Sequence, residues 1–389
     1  MNRLLVDSSA QSIGMGILVA IIGYSSSVAI VIHGLVAVGA SDSQVISALV
    51  AITFMMGAVG ILVSLYSRMP ISVAWSTPGM ALLSGMAALP GGFPAAVGAF
   101  IAAGILIMIA GLWRPLGDFV GRIPRPIANG MLGGILVKLC LAPFVALQQA
   151  PLIAAAILIA WVLVGRFARL WAAPAALVVA LTGLVLTSGD DAGLVTMPTL
   201  AFVEPRFDWQ AIISIGLPLF IVTMASQNIP GLTVLNTYGY RPDVPKIFLS
   251  TGAASTAAAV FGGPTINLAA ITAVLCAGPD AHTDLSRRYV AAIVAGVTYM
   301  LLGLFSGVAA SLVTRASPIL IEAVAGLALI PAFGSAMLAA VQDEAERIPA
   351  LATFFVTASG LSLFGIGAAF WGLAAGLLLH LLYKVGKKA

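Results

Sequence analysis

Ile71-Ser72-Val73-Ala74-Trp75-Ser76-Thr77-Pro78-Gly79-Met80-Ala81 changes its conformational preference half-way along. The first five residues alternate and carry β-branched and aromatic side chains, which suits an extended strand. Ser76 or Thr77 then offers a helix cap, and Pro78 suits the first helical position, where a missing N–H costs no intrahelical bond. Five extended residues at about 3.3 Å and roughly twelve helical ones at about 1.5 Å add to ~34 Å, one hydrocarbon core. The stretch therefore predicts a strand leading into a half-helix. Val260-Phe261-Gly262-Gly263-Pro264-Thr265-Ile266-Asn267-Leu268 repeats the device, with Pro264 expected at the first helical position.

The surrounding chain puts both breaks in a bilayer. Its 389 residues are 61% hydrophobic and 8% charged, whereas soluble domains run near a quarter charged. Disorder is excluded by the same numbers. A net charge of +4 without a basic arm or patch excludes nucleic acid as a partner. Charges, prolines and glycine clusters delimit fourteen apolar runs: 13–38, 43–66, 71–88, 93–113, 125–143, 151–165, 174–189, 211–236, 246–259, 264–277, 288–313, 318–339, 349–366 and 369–385. With the amino terminus inside, 15 of the 18 Lys and Arg residues fall on the cytoplasmic side; Arg206 and Arg315 fall outside and Lys138 within a span. Both termini are thus expected in the cytoplasm. The first apolar run is long enough to span rather than be cleaved as a leader. One long outer loop, around Ser188 to Trp209, carries Asp190, Asp191, Glu204 and Asp208 and divides the chain into halves of seven spans.

Seven is odd, so homologous halves must lie in opposite orientation, the inverted-repeat plan of secondary transporters. Gly16 precedes Ser25-Ser26-Ser27 in span one as Gly216 precedes Ala225-Ser226-Gln227 in span eight; Pro124 opens span five as Pro318 opens span twelve; and the two broken spans correspond. The fold class expected is an all-α integral membrane protein of fourteen transmembrane segments, two inverted repeats of seven, with discontinuous strand/half-helix spans 3 and 10.

Broken backbone at membrane depth must be enclosed in protein or line a cavity, so the breaks mark the candidate site. Half-helix amino termini present free N–H groups and partial positive charge, which favour an anion. The polar residues expected around them are Ser25, Ser26 and Ser27, Ser76 and Thr77, Gln227 and Asn228, and Thr265 and Asn267, with Gly263 and Trp75 at the breaks and Tyr24 and Phe261 as aromatic neighbours. None carries a formal charge. A small organic anion with an apolar body fits that set better than sulfate or phosphate, which attract Arg or Lys. The serines also suit helix packing, and Lys138 suits snorkelling outward. His33 and Glu322 are ionisable residues inside spans, each readable either as a proton-coupling group or as a packing partner. Cys140 and Cys276 lie in apolar runs and read as small buried hydrophobes, and histidines at 33, 282 and 380 are scattered. No metal, no cofactor and no catalytic constellation is expected, hence no enzyme.

The segments Ser226-Gln227-Asn228-Ile229-Pro230-Gly231-Leu232, Asn236-Thr237-Tyr238-Gly239-Tyr240-Arg241-Pro242, Phe261-Gly262-Gly263-Pro264-Thr265-Ile266-Asn267-Leu268 and Cys276-Ala277-Gly278-Pro279-Asp280-Ala281-His282, with Ile123-Pro124-Arg125-Pro126-Ile127-Ala128-Asn129-Gly130 in the first half, resemble the benzoate membrane transport family. The resemblance covers nearly the whole chain. It implies a benzoate–proton symporter of the inner membrane with the seven-plus-seven fold shared with uracil permease and the sulfate-type anion carriers. It further implies a core domain of spans 1–4 and 8–11 (13–113 and 211–313) and a gate domain of spans 5–7 and 12–14 (114–189 and 318–385). Gln227 stands where uracil permease carries a site glutamate, so an amide replaces that carboxylate. The partners implied are a small aromatic carboxylate, a proton, the lipid bilayer and a second copy of the chain in a homodimer. A nucleobase carrier, an inorganic-anion carrier of the same fold and an anion channel are the competing expectations.

Overall fold

The computed structural model describes residues 2–86, 91–113, 115–116, 123–188, 197–315, 318–364 and 366–386. The expected acidic pair Asp190 and Asp191, and the cations Arg114, Arg122, Lys387 and Lys388, lie outside them. The first half runs α1 (Ala10–Ser25), α2 (Val28–Ala37), α3 (Asp42–Ser67), β1 (Val73–Trp75), α4 (Thr77–Ser84), α5 (Gly92–Leu112), α6 (Arg125–Gln149), α7 (Pro151–Phe167) and α8 (Ala172–Ser188). The second runs α9 (Trp209–Thr237), α10 (Val244–Ala259), β2 (Ile266–Leu268), α11 (Ile271–Ala277), α12 (Tyr289–Leu304), α13 (Ser306–Arg315), α14 (Pro318–Val341), α15 (Arg347–Ala358) and α16 (Ala368–Gly386). Among the described residues, seven helical stretches are long and apolar enough to cross a membrane: Ala10–Ala37, Asp42–Ser67, Gly92–Leu112, Arg125–Gln149, Trp209–Thr237, Leu285–Leu304 and Ile319–Val341.

The interruptions have local causes. Between α1 and α2 the hydroxyls of Ser25, Ser26 and Ser27 turn back to the carbonyls of Ile21, Gly23 and Gly23, competing with the helical ladder, and Ser27 leaves helical geometry at φ −137° and ψ −6°. In α9 two π turns, Ile212–Gly216 and Met224–Asn228, each end two residues before a proline, Pro218 and Pro230. A proline has no N–H for the bond four residues back, and a widened turn absorbs that loss.

β1 and β2 pair antiparallel with Val73 opposite Leu268, Ala74 opposite Asn267 and Trp75 opposite Ile266. The ribbon is extended at both ends by Ser76 N–H to Thr265 O, 3.2 Å, and Ala269 N–H to Ser72 O, 2.9 Å. The expected strand at 71–75 is realised over its last three residues. Ser76 is the cap of α4, its Oγ accepting from Gly79 N–H, so Thr77 takes the first helical position and Pro78 the second. Span ten departs further from expectation. Pro264 does not start a helix: the extended chain continues through Leu268 and α11 begins at Ile271. The reason is competition for the backbone, since Ser255 Oγ accepts from Ile266 N–H and donates to Ile266 O, and β1 takes the remaining edge.

Other boundaries differ too. The expected span 349–366 ends as a helix at Ala358, where Ser359 Oγ accepts from Leu361 N–H and Gly360 turns left-handed at φ +70°. The expected span 288–313 divides at Phe305 into α12 and α13, and span 125–143 continues through Pro143 to Gln149.

In packing, α12 lies against α1 and α3, and α10 against α3 and α5; α6 lies against α14 and α15, α7 against α8, and α15 against α16. Small residues allow the closest crossings. At the α3–α12 crossing, a methyl group on Gly57 would stand 2.5 Å from the Gly296 carbonyl oxygen, and one on Gly296 2.7 Å from that of Gly57. α14 also reaches across to α2, which brings it beside the two breaks.

Candidate functional site

A cavity of about 140 Å³ lies where the interruptions converge. Its wall is built from Ile22, Gly23, Ser26 and Ser27 at the α1–α2 break; Ala74, Trp75, Thr77 and Pro78 at the β1–α4 junction; Gln227 in the second π turn; Ala269, Ala270 and Thr272 after β2; Met56 and Tyr299; and Ala328, Leu329 and Ala332 of α14. Neither a Lys, Arg or His nor an Asp or Glu is among these lining residues.

Several polar groups on the wall are fixed by a neighbouring element. Trp75 Nε1 donates to Ser27 Oγ at 2.9 Å, and Ser27 Oγ donates to Gly23 O at 2.7 Å, so the indole is locked against the α1–α2 break. The Tyr24 ring tilts on Trp75 at 5.5 Å between centroids. Gly23 is required there, because a Cβ would collide with the Tyr299 hydroxyl. Thr272 Oγ1 shares a hydrogen bond of 2.9 Å with Ser72 Oγ. Gln227 Oε1 accepts from Ala270 N–H at 3.2 Å, which leaves the two Nε2 donors for a ligand. The amino end of α4 contributes the positive end of a helix dipole through Thr77 and Pro78 on the wall.

Of the residues singled out from sequence, Ser26, Ser27, Trp75, Thr77 and Gln227 line this cavity. The others stand behind the wall or away from it. Asn228 is fully buried and its Oδ1 accepts from Leu268 N–H at 2.9 Å, pinning β2. Ser76 Oγ accepts from Thr223 Oγ1 at 2.9 Å, and Thr223 lies 3.3 Å from Thr265 Oγ1, forming a buried hydroxyl cluster that ties α4, α9 and the β2 approach together. Asn267 donates to Leu268 O at 2.8 Å and its Oδ1 is buried without a hydrogen-bond partner among the described residues. Gly263 packs on Ala258. Ser25 Oγ is spent on Ile21 O, and exposed Lys138 lies beside Gly360.

His33 and Glu322, read separately from sequence, meet: Nε2 of one lies 3.0 Å from Oε1 of the other, with His33 on α2 and Glu322 on α14. His33 Nδ1 is buried with no hydrogen-bond partner among the described residues. Two features were missed from sequence. Thr223 gives no signal as one threonine in an apolar run. Arg288, counted as a loop cation, is 6% exposed and donates to Ala277 O at 2.6 Å and His282 O at 2.7 Å, placing positive charge at the carboxyl end of α11, where a helix dipole favours it.

The profile of the benzoate membrane transport protein family matches residues 6–382. The chain belongs to that family. The "Benzoate membrane transport protein" of Acinetobacter baylyi (strain ATCC 33305 / BD413 / ADP1) is 33% identical over 389 residues, 98% of this chain and 97% of that protein. "Inner membrane protein YdcO" of Escherichia coli (strain K12) is 36% identical over 365 residues, 93% of each. Among solved structures, the transmembrane domain of the cyanobacterial bicarbonate transporter BicA superposes with a TM-score of 0.58 at 15% identity, covering 97% of both chains. SLC26A9 superposes at 0.59 and 13% identity, covering 96% of this chain and 65% of that one. The fold is that of these transporters, mostly helical and multi-pass, and the family is one of membrane transporters rather than enzymes.

Proposed function

We propose that this family member carries benzoate or a closely related aromatic carboxylate inward together with a proton. The observation that carries the reading is the cavity: about 140 Å³, free of formal charge among its lining residues, with a few hydroxyl and amide groups set in a mostly carbon wall. An apolar protein cavity of roughly 150 Å³ holds one benzene molecule, so the space suits a single aromatic ring. Gln227 Nε2 and Thr77 at the amino end of α4 supply donors for a carboxylate, and charge-assisted bonds of this kind are the stronger sort. The name of the Acinetobacter baylyi relative agrees. The fold neighbours, a bicarbonate transporter and an anion transporter, favour a second reading, an inorganic-anion carrier; against it, no cation is among the cavity's lining residues.

The working arrangement proposed is fourteen spans in two inverted repeats, both termini cytoplasmic, in the inner membrane. α1–α5 and α9–α13 form a core that moves against a gate of α6–α8 and α14–α16, exposing the cavity to each side in turn. Coupling falls to His33 and Glu322, which join core to gate: a proton arriving on the carboxylate cancels its charge and weakens the tie between α2 and α14. Microcalorimetry on the purified protein tests the substrate class with benzoate, uracil, sulfate and bicarbonate. Benzoate alone is expected to give saturable heat; saturation by bicarbonate or uracil and none by benzoate overturns the reading.

A further inference from the structure

The polar lining of the cavity comes from one set of elements, while carbon comes from these and from α14. Every lining side chain able to hydrogen-bond, Ser26, Ser27, Trp75, Thr77, Gln227, Thr272 and Tyr299, comes from α1–α4, α9, α11 or α12 and their junctions. α14 contributes carbon only: Ala328, Leu329 and Ala332, at positions i, i+1 and i+4, which share one face of a helix. Leu329 is 3% exposed, filling its place completely, while the alanines on either side are half-buried and short. A ligand whose carboxylate is held by Gln227 and Thr77 meets only carbon on the α14 part of the wall, while Ile22, Met56, Ala74 and Ala269 complete the apolar lining from the other elements.

We propose that α14 is the selectivity wall of this transporter, with Leu329 limiting ring size and Ala328 and Ala332 providing the flat surface against which one aromatic ring stacks. The inference rests on the aromatic-carboxylate reading and deepens it: the accepted substrates are monocyclic, and a fused second ring is refused by Leu329 rather than by any polar residue. Glu322 stands seven residues before Leu329 on the same helix, about 10 Å along it. The wall that senses the ring and the carboxylate that pairs with His33 are therefore parts of one helix, with Ala328 and Leu329 on the same side of Pro331 as Glu322, so seating of the ring bears on the α2–α14 tie.

The test compares dissociation constants of benzoate and 2-naphthoate on the purified full-length protein, for the parent, Leu329→Ala and Ala328→Val. Both acids bring the same carboxylate, so their ratio reports the ring wall and cancels the polar side. One methylene in an apolar pocket is worth roughly 10- to 200-fold. The parent is expected to prefer benzoate by at least about tenfold, Leu329→Ala to move the ratio at least about tenfold toward naphthoate, and Ala328→Val to weaken both acids, naphthoate more. A residue that only supports the fold would shift both constants together, and a thermal unfolding midpoint for each variant records folding. An unchanged ratio in both variants overturns the wall while leaving benzoate transport standing. A parent that binds neither acid overturns the wall and the reading beneath it.

Discussion

Gln227 is held at one end and open at the other. Its Oε1 takes the Ala270 N–H at 3.2 Å, and its Nε2 is the donor left for the cavity. Gln227→Ala removes a donor to a charged ligand, worth about 1.5–3 kcal/mol, so benzoate affinity is expected to fall roughly 10- to 150-fold, with the protein still folded and a modestly lower unfolding midpoint from loss of the Ala270 N–H acceptor. Gln227→Glu is expected to be worse, since its carboxylate takes the same N–H and sets a negative charge beside an incoming anion in low dielectric. Calorimetric titration of both variants checks this; wild-type affinity in Gln227→Glu contradicts it. Gln227, with Ser26, Ser27, Trp75 and Thr77, was legible because a polar or amphipathic side chain stands out in an apolar span. Ala328, Leu329, Ala332 and Met56 were not, because an aliphatic residue in a chain 61% hydrophobic carries no mark of facing a cavity rather than lipid. Neighbours also divided in a way spacing does not reveal: Gln227 faces the cavity, whereas Asn228, next to it, serves β2.

At the scale of elements, the order strand, cap and half-helix in the expected span 71–88 followed from residue types, since Val73 to Trp75 favour extension and Ser76 caps. The strand has three residues rather than five, and α4 eight, Thr77–Ser84, rather than roughly twelve. The second break was read too early, because Pro264 resembles a helix start until its strand partner is known, and pairing with β1 is a long-range fact. The hydroxyl cluster behind the break makes a further expectation. Ser76→Ala removes both the cap of α4 and the acceptor for Thr223 Oγ1. Loss of a serine cap costs about 0.5–2 kcal/mol, and an orphaned buried hydroxyl adds to that. The detergent-solubilised variant is therefore expected to unfold at a lower temperature than the parent, and Ser76→Thr, which keeps the oxygen, to lose less. Equal midpoints for Ser76→Ala and the parent would show that the cluster does not hold α4.

For the whole molecule, three features converge: polar groups at two interrupted spans, an aliphatic face of α14, and an ionisable pair that ties the same α14 to α2. Among the described residues, His33–Glu322 is the only ion pair that links α1–α5 and α9–α13 to α6–α8 and α14–α16. That linkage was out of reach of the sequence, where His33 and Glu322 lie 289 positions apart in runs that give no hint of contact. Its role is tested by benzoate uptake into proteoliposomes under an imposed inward proton gradient, with protein-free liposomes subtracted to remove diffusion of the neutral acid. The parent is expected to accumulate benzoate above the level reached without a gradient, and Glu322→Gln to lose that response while still exchanging labelled for unlabelled benzoate. Uptake by the parent that ignores the gradient, or a Glu322→Gln variant that follows it as the parent does, would contradict the account.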